Sequence, residues 1–244
     1  MHLADHWLNI AYLIAASLFV FGIKGLTKPR TAVRGNQLAA LGMLIACVVT
    51  VFHRDIVGYE FIIAGVILGT VIGALMAVKV KMTSMPQMIA LLNGFGGGAS
   101  FAVAAAGYIA GDLVGAVAII STGAAVLIGA VTTTGSVVAY AKLQELISGK
   151  SIGFAGMKFV NALLLLGSLA AIGYLVVEPG NEMVFWGLVI AASLLGLMLV
   201  LPIGGADMPV VIALLNSYSG VAASAAGFVT GNSALIITGS LVGA

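Results

Sequence analysis

Charged residues are scarce in this chain of 244 residues: Asp, Glu, Lys and Arg together make up 7% of the sequence, whereas 61% of the residues are hydrophobic. About a quarter of the residues in a soluble domain are charged, so this composition excludes a soluble globular protein and indicates a polytopic membrane protein. The net charge is +2, and no basic cluster suggests nucleic acid as a partner. Aromatic residues are also few, and the 33 glycines are typical of transmembrane helices that pack closely through small residues.

Cysteine is nearly absent as well. Cys47 alone lies within an apolar run, which excludes a disulfide framework within the chain and a cysteine metal site. No HExxH motif, carboxylate pair in a span or nucleophile elbow occurs, so we expect no catalytic residue and no metal in this chain. The glycine-rich string at 94–98 follows no predicted strand, which argues against a dinucleotide site. The N-terminus lacks the features of a signal peptide, so the first apolar run is expected to be a retained span.

Apolar runs of spanning length follow one another along the chain. They predict an all-α, polytopic transmembrane helix bundle of about nine spans, in a single transmembrane domain over residues 1–244. The run at 113–147 is long enough for two spans, but it has no polar hairpin and is counted as one long helix with a kink or packing notch near Gly129. The runs cover 7–26, 37–53, 58–79, 84–109, 113–147, 156–177, 182–203 and 207–229, and a ninth begins near Asn232.

Lysine and arginine cluster at the odd-numbered connections between these runs. Cytoplasmic loops carry an excess of such residues, which predicts an outward-facing N-terminus and a cytoplasmic C-terminus. His53 and Arg54 lie at the outward end of the second run, and we interpret His53 as a solvated loop residue rather than a titrating site. The clustered residues are Lys24, Lys28, Arg30 and Arg34 at the first connection, Lys79 and Lys81 at the third, and Lys142, Lys150 and Lys158 at the fifth.

A sequence repeat links two of the runs. The string Met-Pro-x-x-Ile-Ala-Leu-Leu-Asn at 85–93 recurs at 208–216, and 107–112 then echoes 227–232 after a three-residue slip. In each copy Pro occupies the first turn, preceded by Ser84 or Asp207 as an N-cap, and Gln87 is placed to close a capping box with Ser84. With the predicted orientation, the repeat indicates two related helices that enter the membrane in parallel from the cytoplasm.

Each copy carries one amide, Asn93 or Asn216. At ~1.5 Å per residue these lie roughly 13 Å along the helix, near the middle of the hydrocarbon layer, where an amide must find a partner. A proton or ion path and an interhelical hydrogen bond are both consistent with this placement. A stripe of small residues, on which another helix or a file of water is expected, includes Asn216, Gly220, Ser224, Gly227 and Gly231.

Other polar positions also have two interpretations. Asp207 is either a helix N-cap or a gate or partner contact at the cytoplasmic mouth, and the residue pattern by itself favours the cap. Asn161 and the hydroxyl patch that ends at Ser136 lie inside predicted spans. Hydroxyls in membrane helices usually bond their own backbone, so a structural role is favoured for these.

Two strings resemble a known family. They are Gly-Gly-Ala-Asp-Met-Pro-Val-Val with Leu-Leu-Asn-Ser-Tyr-Ser-Gly, at 204–220, and Gly-Ala-Val-Thr-Thr-Thr-Gly-Ser-Val-Val-Ala-Tyr-Ala-Lys-Leu, at 129–143. Both closely resemble the β subunit of proton-translocating NAD(P) transhydrogenase, and the likeness covers essentially the whole chain as that subunit's membrane domain. It implies nine spans followed by a cytoplasmic NADP(H)-binding domain, an α subunit with the NAD(H) domain and further spans, and a dimer of such protomers in the inner (plasma) membrane. Hydride transfer from NADH to NADP⁺ would be coupled to inward proton movement.

The resemblance also implies roles for residues matched by motif. Asn216 corresponds to the family's channel asparagine, Ser136 to a channel-lining serine, and Asp207 to the acid that faces the NADP(H) domain. Water threading the stripe, ordered by Asn216 and Asn93 and passing Ser224, would form the proton path. NAD(H) and NADP(H) are expected in the complete complex and not on this chain. Many relatives have histidine at the position of Asn93, so we expect the partner subunit's helices to supply the proton-carrying histidine.

Two other classes of function stay open. A stand-alone ion or small-solute transporter would use the two asparagine helices as a midplane site, although the repeat is parallel and no charged residue awaits a substrate. A purely structural membrane anchor would make polar substitutions in the stripe affect stability alone. The last residues, 238–244, echo 134–139 and stop inside the ninth run. We interpret this ending as the membrane part of a longer polypeptide.

Overall fold

The structure is a computed structural model that describes residues 2–53, 58–111 and 113–244. These residues form helices and no strand, which confirms the all-α prediction for the part described. Eight of the helices are long and apolar enough to cross a membrane, and the ninth is shorter. The number of spans and the orientation of the termini stay predictions. The helices are α1 (His2–Leu26), α2 (Pro29–His53), α3 (Tyr59–Lys79), α4 (Met85–Ala110), α5 (Ala116–Leu143), α6 (Met157–Val177), α7 (Glu182–Val200), α8 (Met208–Thr230) and α9 (Ser233–Gly243).

Helix ends differ from the apolar runs where polar residues continue a helix. The second run begins at residue 37, but α2 begins at Pro29, because proline suits the first turn of a helix and polar residues extend it beyond its apolar part. The run at 113–147 forms one helix, α5, as predicted. Arg54, Asp55 and Asp112 lie outside the described residues, as does the side chain of His53.

Contacts divide the chain into two compact units, Met1–Val80 and Lys81–Ala244, and the expectation of a single membrane domain stays a prediction. In the first unit, α1 and α2 pair closely because glycines face each other: a Cβ added to Gly25 would lie 2.7 Å from the Gly35 Cα. The Tyr12 hydroxyl is hydrogen-bonded to Thr50 Oγ1 at 2.9 Å across the pair. None of the residues of α3 is buried.

The second unit is built around α5, which packs against α4, α6, α7 and α8. Helices α4 and α5 approach backbone to backbone, since a Cβ added to Gly129 would lie 2.7 Å from the Gly97 carbonyl oxygen. The packing notch expected near Gly129 is therefore confirmed. Phe185 of α7 is fully buried and stacks on the Tyr108 ring with centroids 3.9 Å apart.

The two copies of the repeat form α4 and α8, which run parallel as predicted. A Cβ added to Gly96 would lie 2.6 Å from Ser219 Oγ, and one added to Gly107 would lie 3.0 Å from Val229 Cγ1. Both helices end at a glycine with positive φ, Gly111 (φ 74°) and Gly231 (φ 63°). This left-handed conformation is the one in which glycine commonly closes a helix.

The predicted caps at the start of the two copies are wrong. Neither Ser84 nor Asp207 makes a side-chain cap hydrogen bond, and the Gln87 amide donates instead to the Leu143 carbonyl at 3.2 Å. A turn of 3-10 helix precedes each α-helix and holds Ser84 near φ −104°, ψ 11° and Asp207 near φ −92°, ψ −1°. A capping side chain needs the extended backbone conformation, which the 3-10 turn removes.

Candidate functional site

The buried amide of Asn93 joins the two copies of the repeat. Its side chain is 6% exposed, and Nδ2 donates to the Ile212 carbonyl oxygen of α8 at 2.9 Å. In a regular α-helix that carbonyl also accepts the backbone N–H of the residue four positions on, which is Asn216. The interhelical bond foreseen for a membrane amide is therefore present at Asn93, one helical turn from the second asparagine.

The hydroxyl of Ser136 is buried without a protein partner. The side chain is 1% exposed, and Oγ makes no hydrogen bond with the described residues. The expectation that Ser136 bonds its own backbone is wrong, whereas the preceding hydroxyls do so. They are Thr132 to the Ile128 carbonyl at 2.7 Å, Thr133 to the Gly129 carbonyl at 2.7 Å and Thr134 to the Ala130 carbonyl at 3.0 Å.

Ser136 faces α4 beside the Asn93 position. A Cβ added to Gly94 would lie 3.2 Å from the Ser136 Cβ, and Thr133 Oγ1 also reaches the Gly94 carbonyl at 3.3 Å. A groove of about 400 Å³ along α4 and α5 is lined by Gly94, Phe95, Thr133 and Ser136. Ser136 of α5 thus faces Gly94, the residue that follows Asn93 on α4, whereas the Asn93 side chain is directed to α8.

Asn216 lies on the outer side of α8. Its side chain is exposed, and no hydrogen bond joins it to the described part of the chain. Ile212 and Leu215 beside it are buried, so the amide stands at the edge of the packed face of α8. Within a hydrocarbon layer, an amide in this position is satisfied by a partner outside the chain or by water.

The small-residue stripe of α8 is covered by α9. A Cβ on Gly220 would lie 2.8 Å from the Gly239 carbonyl oxygen. Ser224 Oγ donates to the Ile236 carbonyl at 3.2 Å and lies 3.0 Å from Ser240 Oγ. Either another helix or a file of water was expected on the stripe, and the structure shows a helix, α9, on its Gly220–Gly227 part. Ser224 lies in this contact with α9 and not beside Asn93.

Asp207 is exposed on the turn between α7 and α8, where it precedes α8 without capping it. This turn is tied to the loop after α5, because the Gly205 N–H donates to the Gly149 carbonyl at 2.8 Å. Asn161 connects α6 to α7, since its Nδ2 donates to the Met198 carbonyl at 3.3 Å, while its Oδ1 is buried without a partner among the described residues.

Lys142 is a residue whose placement the sequence did not predict. Although it was expected on the cytoplasmic surface, it is 2% exposed, and Nζ donates to three backbone carbonyls, those of Lys150, Leu201 and Ile203. The sequence feature that indicates burial of Lys142 is its position inside the last turn of an apolar helix, near Tyr140 and Leu143.

Comparison with known proteins assigns the family. A family model described as the NAD(P) transhydrogenase beta subunit matches residues 8–244. Two relatives, both NAD(P) transhydrogenase subunit beta from Rhodospirillum rubrum, are each 39% identical to the chain over 241 residues. The alignment covers 96% of this chain and 52% of each relative, so the chain spans about half their length. Together with the eight helices of spanning length, these matches make the chain a multi-pass membrane protein that belongs to the NAD(P) transhydrogenase beta subunit family.

Proposed function

We propose that this chain forms the proton-conducting membrane part of an NAD(P) transhydrogenase, in which proton movement is coupled to hydride transfer from NADH to NADP⁺. Family membership supports the reaction, and the long apolar helices support the membrane part. The nucleotide sites would belong to an NADP(H) domain continuous with this chain and to the NAD(H) domain of an α subunit. The complex would be a dimer of such protomers in the inner membrane.

The observation that carries the proposal is the unpaired Ser136 hydroxyl. Leaving a buried polar group without a partner costs about 1–3 kcal/mol, so such groups are normally satisfied by protein or by ordered water. The adjoining groove of about 400 Å³ has room for water, since one water needs roughly 10–15 Å³ of such volume. A water held by Ser136 beside the Asn93 position would begin a chain of hydrogen bonds along α4 and α5.

The titrating group would come from outside this chain. Helices α4, α5 and α8 contain no histidine, aspartate or glutamate, and neither an amide nor a serine hydroxyl gains or loses a proton near neutral pH. The exposed Asn216 amide supports a partner on that side of α8. We therefore assign the proton carrier to a histidine on α-subunit helices that cover Asn216.

Asp207 would connect the proton path to the nucleotide domain. It is exposed at the end of α8 that precedes Asn216 by two to three turns, and its carboxylate makes no hydrogen bond with the described residues. An exposed, unpaired acid at a helix start is free to bind a partner domain. Protonation in the channel would bias the contact between Asp207 and the NADP(H) domain, as one ligand shifts a two-state equilibrium.

The first test compares Ser136→Ala with Ser168→Ala in the complete complex, reconstituted in proteoliposomes. Both serines are buried, but Ser168 Oγ already donates to the Leu164 carbonyl of its own helix at 2.7 Å. We expect Ser136→Ala to lower the proton-coupled rate roughly two- to tenfold, the effect of losing one hydrogen bond. Ser168→Ala should leave that rate unchanged. Equal rates in the two variants would show that Ser136 does not contribute to the path.

The second test concerns Asn216 and the proton carrier. We expect Asn216→Ala to impair coupled transhydrogenation while the complex still assembles, and replacement of one membrane histidine of the α subunit to abolish proton pumping. Normal coupled rates in Asn216→Ala would remove that residue from the path. Intact pumping after replacement of every such histidine would disprove the assignment of the carrier. A stand-alone transporter is not favoured, since the family match concerns a transhydrogenase subunit.

A further inference from the structure

Lys142 makes an unusual set of contacts for a lysine at the end of a membrane helix. Its Nζ donates to the carbonyl oxygens of Leu201 at 2.6 Å, Ile203 at 2.7 Å and Lys150 at 3.0 Å. The side chain is 2% exposed. An ammonium group has three N–H donors, and three acceptors therefore satisfy it completely.

The charge of Lys142 is balanced by backbone dipoles. No carboxylate forms an ion pair with it in the part of the chain that the structure describes. Helix α7 ends at Val200, so the carbonyls of Leu201 and Ile203 lie at and just beyond its C-terminal end, where carbonyls lack partners in the helix and carry partial negative charge. Lys142 supplies the missing donors to this end of α7.

The same three bonds hold two turns together. Lys150 lies in the loop between α5 and α6, whereas Leu201 and Ile203 lie in the turn between α7 and α8. Two backbone bonds between these segments flank the ammonium: Gly205 N–H to the Gly149 carbonyl at 2.8 Å and Ile152 N–H to the Leu201 carbonyl at 3.1 Å. The three bonds of Lys142 and these two backbone bonds together connect the loop 148–152 to the turn 201–205, and we call this set of bonds the tie.

We propose that Lys142 is a positioning residue for Asp207. The tied turn leads within two residues of Gly205 to Asp207, whose own side chain makes no cap bond that would fix it. Because the Asp207 side chain makes no bond of its own in the described residues, its position follows the turn that leads to it, and Lys142 contributes two of the bonds that hold this turn, beside the backbone bond from Gly205 to Gly149. This inference deepens the proposed function and rests on it in one respect, the role of Asp207 in coupling to the nucleotide domain.

The test compares Lys142→Met with Lys150→Met in the complete complex in lipid nanodiscs. Methionine retains most of the apolar stem but removes the three donors. Lys150 is exposed and contributes its carbonyl, not its side chain, to the tie, so Lys150→Met removes a charge from the same face as a matched control. Hydrogen–deuterium exchange is measured for peptides that cover 148–152 and 201–207.

We expect exchange in both peptides to be at least about tenfold faster in Lys142→Met, since loss of one hydrogen bond to a charged group already shifts an equilibrium by about that factor. The Lys150→Met control should match the parent. Unchanged exchange in Lys142→Met would overturn the proposal. This readout does not depend on proton conduction, so the tie can be confirmed even if the proposed function fails.

Coupling is tested by rescue. The NADPH-forming rate driven by an imposed proton gradient should fall in Lys142→Met, and it should recover when the exposed residues Ser148 and Ala206 are both replaced by cysteine and joined by a short bifunctional thiol reagent. Faster exchange with an unchanged coupled rate would show that the tie does not position Asp207. A lost rate that the cross-link does not restore would overturn positioning as well.

A variant that fails to reach the membrane does not end the test. Lys142→Arg keeps the positive charge but replaces the compact ammonium by a planar fork, which does not match three converging carbonyls. We expect it to insert normally and to show faster exchange in the same two peptides. Exchange as slow as that of the parent would contradict the geometry on which the proposal depends.

Discussion

The contact between α4 and α5 can be tested with two adjacent glycines. Gly97 faces α5, where an added Cβ would lie 2.8 Å from both the Gly129 carbonyl oxygen and the Thr132 Cβ. Gly98 is next in sequence, but a Cβ there would lie 3.6 Å from Thr133 Oγ1, an ordinary van der Waals distance. The pair Gly97→Ala and Gly98→Ala therefore differs in the helix contact and not in the chemical change.

The expected magnitude follows from two opposing effects. Alanine favours a helix over glycine by about 1 kcal/mol, and both variants gain this equally. In Gly97→Ala the backbones must separate by a few tenths of an ångström, and such overpacking costs about 1–3 kcal/mol. We expect Gly98→Ala to be more stable than the parent and Gly97→Ala to be less stable than Gly98→Ala by about 1–3 kcal/mol.

Unfolding can be followed by the fluorescence of Trp186, which packs edge-on against the buried Phe185 ring at 5.4 Å. Trp7 is the second tryptophan of the chain and would be replaced by phenylalanine. The variants are titrated with SDS in mixed micelles, and their unfolding midpoints are compared. If Gly97→Ala proves as stable as Gly98→Ala, the close approach of α4 and α5 is wrong.

Three further outcomes are expected in the same unfolding and cross-linking assays. Asn93→Leu should lower the free energy of unfolding by about 1 kcal/mol, because it removes the bond to the Ile212 carbonyl; an unchanged midpoint would contradict that bond. Ser224→Cys with Ser240→Cys, in a Cys47→Ser background, should form a disulfide under mild oxidation, since the two Oγ atoms lie 3.0 Å apart; free thiols would show that α9 does not cover α8 there. Glu145 has φ 57°, a conformation that costs a residue with a Cβ about 1–2 kcal/mol relative to glycine, so Glu145→Gly should be at least as stable as the parent and the β-branched Glu145→Val less stable; a Glu145→Val midpoint equal to that of Glu145→Gly would contradict this backbone conformation.

Sequence patterns predicted the helices and the relation between two of them. Apolar length located every helix, and the repeat correctly indicated that α4 and α8 are related and parallel. The position of a helix depends on the local sequence, and the relative direction of two helices depends on how many spans lie between them. Hydropathy and the internal repeat are therefore sufficient to predict both. Gly111 and Gly231, which close the two helices in the αL conformation, occupy matching positions of the repeat.

Features that depend on neighbouring segments were not predictable in this way. The 3-10 turns before α4 and α8 changed the backbone at Ser84 and Asp207 and so removed the expected caps. Lys142 belongs by charge among the surface lysines, but the ends of α7 and of the loop after α5 meet around it. Periodicity describes one helix at a time, whereas the bonds from Lys142 to Leu201 and Ile203 join segments about 60 residues apart in sequence.

Helices α4 and α5 and helices α8 and α9 both pack through glycines, although in different registers, since Gly239 answers Gly135 and not Gly129 in the Thr-Gly-Ser echo. Gly97 of α4 meets Gly129 of α5, and its counterpart Gly220 of α8 meets Gly239 of α9. In the second pair the serine of the Thr-Gly-Ser echo, Ser240, donates to the Ile236 carbonyl at 2.7 Å and also contacts Ser224.

In the first pair the corresponding serine, Ser136, faces Gly94 and has no hydrogen-bond partner among the described residues. A glycine opposite a buried hydroxyl removes the side chain that could have satisfied it. The two helix pairs therefore satisfy one hydroxyl and leave the other without a partner in the described part of the chain. A buried hydroxyl without a protein partner is normally satisfied by ordered water, which agrees with the path that we propose along α4 and α5.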